Sequence, residues 1–192
     1  MHKFNFVLEP AFAIILAITF LIFPFKWVIA WLSACFVHEL SHCIALNLCR
    51  CRIRSISVHP GGAYIATVPL TNKQELFCAL AGPVGGLLPV MLFRIFPRFA
   101  VCSVIHSCYN LLPVFPMDGG RAMRCILNRL FLKPTVEIIC NFVRAALFVL
   151  VFLFGLFAFF IMKLGPLPLI FAMTLIFKCT KSSCKAGSET VQ

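Results

Sequence analysis

The sequence is poor in charge and in long polar stretches. Asp, Glu, Lys and Arg together make up 12% of its 192 residues, and Asp118 is the sole aspartate. No polar stretch is long enough for an independent folded domain, and there is no internal repeat or low-complexity tract. The eleven cysteines include no C-x-x-C pair and lie scattered through apolar segments. A disulfide framework is therefore excluded, and the thiols read as reduced, with Cys49 and Cys51 flanking Arg50 at a helix end and the rest as small buried apolar residues. No small-residue cleavage site follows the apolar run after His2 and Lys3, so that run reads as a retained helix rather than a secretory signal. The net charge of +11 comes without a basic and aromatic surface motif, which argues against nucleic acid as a partner.

What is abundant is apolar: 61% of the chain, including 22 phenylalanines, at a mean hydropathy of +1.01. Soluble domains are roughly half apolar, so the expected surroundings are a lipid bilayer. A crossing helix needs about 20 apolar residues, and six segments qualify as candidates, at about 8–25, 27–48, 75–93, 99–117, 138–162 and 164–178. Lysine and arginine are divided unequally between the intervening loops. One side carries Lys3, Arg50, Arg52, Arg54, Lys73, Arg121, Arg124, Arg129, Lys133, Lys178, Lys181 and Lys185, the other only Lys26, Arg94, Arg98 and Lys163. Positive residues stay inside, which puts both termini in the cytoplasm; Arg144 snorkels to the same interface. Residues 51–71 differ from the rest, because Ile53, Ile56, Val58, Tyr64, Ile65 and Val68 are β-formers interrupted by Pro60-Gly61-Gly62. The fold class expected is an all-α polytopic membrane protein of about six transmembrane helices, with a small β-hairpin or sheet element between the second and third. Residues 179–192 read as a polar cytoplasmic tail.

The second span contains His38-Glu39-Leu40-Ser41-His42, an H-E-x-x-H pattern. Positions i and i+4 of a helix share a face, so both imidazoles can hold one zinc ion while Glu39, beside them, takes a proton from water. Three ionisable residues in five at mid-span cost several kcal/mol each unless paired or metal-bound, which favours a metal site over simple packing. A catalytic zinc takes a third protein ligand. The remaining acids are Glu9, Glu75, Asp118, Glu137 and Glu189, and the remaining histidines His2, His59 and His106. Asp118 stands in the most unusual surroundings, where Pro113 and Pro116 break the fourth span and Gly119 and Gly120 permit a sharp turn after the carboxylate. It also falls at the same membrane side as His42. Glu137 stays open as an alternative third ligand.

These residues resemble the site-2 protease family of intramembrane zinc metalloproteases, and especially the compact branch that processes sporulation sigma-factor precursors. The resemblance rests on His38 to His42, on Asn110 to Arg121 and on Ala81-Gly82-Pro83, in the family's order, and covers about residues 27–125. It implies one zinc ion per chain on His38, His42 and Asp118, with Glu39 as general base. It also implies a substrate channel shaped by Asn110, Pro113 and Pro116, and by the glycine loop at Gly61 and Gly62. That loop reads equally as an ordinary turn. Residues 1–178 are then one metalloprotease domain, acting on a membrane-associated protein in a bacterial cytoplasmic membrane, under the control of inhibitory membrane partners. Met117 replaces the family's commoner leucine, a nearly volume-conserving change. Neither a PDZ domain nor a CBS domain is expected within these residues. His59 reads as a surface histidine and His106 as a hydrogen-bonded interior one, both still open to contact with the site, and the small residues Ala81 to Gly86 as a close helix-packing surface. The rival reading is a zinc transporter or a non-catalytic metal-binding membrane subunit.

Overall fold

The computed structural model describes residues 5–59 and 62–160, together with Met173, Thr174, Ile176 and Cys179. The chain divides into two compact units, Met1–Leu111 and Leu112–Gln192.

In the first unit, strand β1 (Asn5–Leu8) leads into helix α1 (Pro10–Ile22), and Pro24 separates α1 from the long helix α2 (Phe25–Leu48). Arg50, at φ 54°, turns the chain out of α2, and the Cys51 N–H returns to the Leu46 carbonyl at 2.9 Å. Strands β2 (Ile53–His59) and β3 (Gly62–Thr67) follow as an antiparallel pair, with Ile56 opposite Ile65 and Val58 opposite Ala63. The hairpin expected from the β-formers at 51–71 is therefore present. It carries an additional strand: β1 pairs with β2 in parallel, making a three-stranded sheet in the order β1-β2-β3. Four residues ahead of a long apolar helix have too short a pattern to announce a strand.

Helix α3 (Asn72–Leu87) starts at a capping box, in which the Thr71 hydroxyl accepts from the Gln74 N–H and the Gln74 side chain accepts from the Thr71 N–H. A 3-10 segment, Leu88–Leu92, prolongs it, and helix α4 (Pro97–Asn110) completes the unit. Helix α2 packs against both α3 and α4. At its carboxyl-terminal end Ala45 and Leu46 meet Cys78 of α3 in a core bordered by Ile53, Ile65 and Leu70, which anchors the sheet to the helices. Toward its start, Ala30 and Ala34 pack with Cys102 and Phe99 of α4.

The second unit contains helix α5 (Asp118–Leu130) packed against helix α6 (Lys133–Phe160). Phe142, Val149, Leu150, Leu153 and Phe154 of α6 are exposed, the surface that acyl chains cover in a bilayer.

Three helical segments among the described residues are long and apolar enough to cross a membrane: Phe25–Leu48, Asn72–Leu92 and Lys133–Phe160. They correspond to the second, third and fifth expected spans. The first and fourth are helices of 13 and 14 residues, about 20 Å long at 1.5 Å per residue and short of the ~30 Å hydrocarbon core. The sixth, at 164–178, lies outside the described residues apart from Met173, Thr174 and Ile176, as does the tail apart from Cys179. The basic loop expected after Asp118 is instead the helix α5. Its arginines hid an amphipathic repeat, since Asp118, Ala122 and Cys125, at i, i+4 and i+7, form its buried face.

Candidate metal centre

Ala30, Ala34, His38, His42 and Leu46 recur every four residues along α2, and all are buried. The two histidines thus lie on the stripe of α2 that packs into its neighbours, His38 only 2% exposed and His42 8%. Small residues below it allow that depth.

Cys78 of α3 sets the state of His42. Its carbonyl oxygen lies 2.8 Å from His42 Nδ1. A carbonyl only accepts, so Nδ1 carries the proton and Nε2 keeps its lone pair. That lone pair faces His38, with the two Nε2 atoms 3.2 Å apart and the rings at right angles, 83° between their planes. Two nitrogens bound at about 2.0–2.1 Å to one tetrahedral zinc stand roughly 3.3 Å apart. The spacing fits.

Gly82 keeps this meeting point clear. A Cβ there would press on His42 Nε2 and Cε1, and would come within 2.9 Å of His38 Cε1. At Gly85 it would strike the Ser41 hydroxyl, which donates to the Val37 carbonyl at 2.7 Å. The small residues of α3 do serve close packing, as expected, and at Gly82 they also leave room beside the donor atoms.

His106 stands beside this site, a contact left open by its reading as an interior histidine. Its ring stands edge-on to His38, with centroids 4.7 Å apart, and edge-on to Trp31 at 5.4 Å. The Asn110 amide donates to the His106 carbonyl at 3.0 Å and to Nε2 at 3.1 Å. An amide nitrogen only donates, so His106 Nδ1 carries the proton, directed at Cys35 Sγ 3.7 Å away. His106 is thus a hydrogen-bonded wall behind His38, and Asn110 holds it. Glu39, next to His38 on α2, is half-buried.

In the second unit, Asp118 opens α5 and is 6% exposed. A carboxylate in a helix's first turn is stabilised by the backbone dipole, and Arg121 Nη1 stands 3.4 Å from its Oδ1. Met117, just before it, is buried and its N–H bonds to the Val114 carbonyl at 2.9 Å. The expectation of a sharp turn after Asp118 is corrected here, because Gly119 and Gly120 belong to the first turn of the helix. Gly120 is required for a different reason. A Cβ there would collide with the Val114 carbonyl group and the Phe115 nitrogen, backbone that cannot rotate aside. Gly120→Ala is expected to cost about 1–3 kcal/mol by overpacking, read as a lower Tm of the detergent-solubilised protein.

The other candidate ligands are engaged elsewhere. Glu9 pairs with His59 at 2.7 Å beside the sheet. Both Glu137 oxygens accept from Arg124 at 2.8 Å, and the Glu137 side chain is 57% exposed. Glu75 lies in the first turn of α3. Of the expected channel residues, Asn110 ends α4, Pro113 and Pro116 lie between α4 and α5 along the chain, and Gly62 opens β3 at φ 127°. Gly61 lies outside the described residues, as do His2 and Glu189.

Comparison with known proteins agrees with this arrangement. Residues 89–154 match peptidase family M50, a stretch that includes Asn110 to Arg121 and begins after the His38–His42 pair. A curated zinc metalloprotease of Methanocaldococcus jannaschii is 28% identical over 136 residues, covering 62% of this chain and 40% of that protein. The chain therefore spans less than half the length of that relative. Among solved structures, a site-2 protease from Methanocaldococcus jannaschii superposes with a TM-score of 0.68 at 20% identity, over 95% of this chain and 92% of that one. Apolar helices of crossing length, the H-E-x-x-H pair on one of them and the shared architecture make the chain similar in fold to that site-2 protease, with its likeness to peptidase family M50 carried by residues 89–154.

Proposed function

We propose that the chain is a zinc metalloprotease that hydrolyses a peptide bond of a membrane-associated protein within or near the bilayer. One zinc ion is held by His38, His42 and Asp118. The observation that carries the reading is the convergence of two buried imidazole nitrogens, 3.2 Å apart, beside a glycine whose side chain would otherwise occupy the same space. Asp118 supports it as a third buried side chain that offers one ligand oxygen. The candidate acids Glu9 and Glu137 are 42% and 57% exposed, whereas Asp118 is buried.

Zinc bound there would polarise the scissile carbonyl and lower the pKa of water at the site. Glu39 accepts the proton of the attacking water on a carboxylate oxygen and delivers it to the leaving amine nitrogen. His42 stays in one tautomer because Cys78 accepts its Nδ1 proton, and His106 limits the tilt of His38. Asn110, Pro113 and Pro116, with Gly61 and Gly62, border the substrate path in this reading. The helical substrate must unwind before its carbonyls are open to attack. With cytoplasmic termini in this reading, water reaches the centre from the cytoplasm. Regulated proteolysis, such as activation of a sigma-factor precursor held by inhibitory membrane partners, is the kind of process such an enzyme serves.

Metal analysis and cleavage assays on the purified full chain test the ligand set. Asp118→Ala is expected to lower zinc content and abolish cleavage, whereas Glu137→Gln keeps both. Stoichiometric zinc and full proteolysis in Asp118→Ala would remove Asp118 from the centre.

A further inference from the structure

We infer that Ser107 of α4 is a positioning residue for His38, its hydroxyl accepting the His38 Nδ1 proton across one water, so that Nε2 stays turned toward the metal. The inference rests on the zinc reading above, and goes beyond it to a residue outside the H-E-x-x-H and aspartate motifs.

A metal-binding imidazole that uses Nε2 carries its proton on Nδ1, and the acceptor of that proton fixes the ring's tautomer and direction. For His42 the acceptor is a backbone oxygen of α3, that of Cys78. For His38 the surroundings point to α4. A Cβ built at Gly86 would lie 2.5 Å from Ser107 Oγ, 3.5 Å from His38 Nδ1 and 3.7 Å from His38 Cβ. Both polar atoms therefore border the same point on α3, and a side chain at 86 would press on the Ser107 hydroxyl.

The hydroxyl is available for this task. Ser107 is 0% exposed, and its Oγ has no hydrogen-bond partner among the described residues. A buried hydroxyl left without a partner is destabilising. A serine in a helix commonly avoids that by donating to the carbonyl one turn back. Ser41 does so, and Ser107 does not. A hydroxyl can accept from Nδ1–H and still donate, which makes it a suitable acceptor for a neutral imidazole.

Ser103 supplies an internal control. It lies one turn earlier on α4, is equally buried, and its Oγ likewise has no partner among the described residues, yet it is not among the three atoms nearest the Gly86 position. The experiment measures zinc affinity of the detergent-solubilised full chain by competition with a chelator, for the parent, Ser107→Ala and Ser103→Ala. Ser107→Ala is expected to weaken zinc binding by about 10- to 100-fold, with the Tm of the zinc-free protein unchanged and the visible bands of the cobalt-substituted protein shifted. Ser103→Ala should match the parent in zinc affinity and in the cobalt bands. Gly86→Ala is a second variant that keeps the hydroxyl but presses a methyl group against it beside His38, and the same loss of affinity is expected. Parent-like affinity in Ser107→Ala, or an equal loss in both serine variants, overturns the positioning role and leaves the zinc centre standing. A parent protein that binds no zinc overturns the centre, and this inference with it.

Discussion

Glu39→Gln is expected to retain zinc and to slow peptide cleavage by about 10²- to 10⁴-fold, the usual contribution of a positioned general base. The substitution preserves shape and removes only the ability to take a proton. Glu39 follows His38 on α2 and is half-buried, whereas the ligand stripe at His38 and His42 is fully buried. Glu39 is also absent from the cluster of side chains that could share one ion, His38, His42 and Asp118, so its loss should leave the metal in place. Two measurements on one preparation decide the matter: zinc by elemental analysis, and cleavage of a reconstituted transmembrane substrate. Undiminished proteolysis by Glu39→Gln would exclude Glu39 as the base, and loss of zinc would make it a ligand instead.

Gly82→Ala carries the second large expected effect, and it acts on the metal rather than on the proton. The added methyl group would occupy the space against His42 Nε2 and Cε1 and close on His38 Cε1. Rings that shift by about 1 Å cost on the order of 10²-fold in a site that depends on their direction. At least about a 100-fold loss of zinc affinity is expected, and cleavage falls with it. Ala79→Gly on the same helix adds no bulk and should leave affinity near that of the parent. If Gly82→Ala binds zinc as tightly as the parent, the donor atoms do not converge beside Gly82.

The H-E-x-x-H pattern needed no tertiary structure to be read, because helical periodicity alone puts residues 38 and 42 on one face. The hairpin at 51–71 was legible from its β-formers for the same kind of reason. Other parts were not. Strand β1 is four residues long, too few for a periodic signal. Helix α5 carries Arg121, Arg124 and Arg129, so its charge reads as a loop although its buried residues repeat with helical spacing. That mistake also misplaced the roles of Gly119 and Gly120. Gly120 is there for a close approach to the 114–115 backbone, a contact with no local signature.

By itself the sequence determined the membrane class, the helix that carries the histidine pair and the short roster of acids that could join it. These follow from composition and from spacing within single elements. Only the tertiary structure decided that Cys78 sets the tautomer of His42, that His106 and Ser107 flank His38, and that Gly82 clears the space beside both rings. Those are contacts between α2, α3 and α4, elements up to 71 residues apart in sequence at Cys35 and His106. A backbone carbonyl or a missing Cβ acts through its position in space, and no residue pattern along the chain encodes that position.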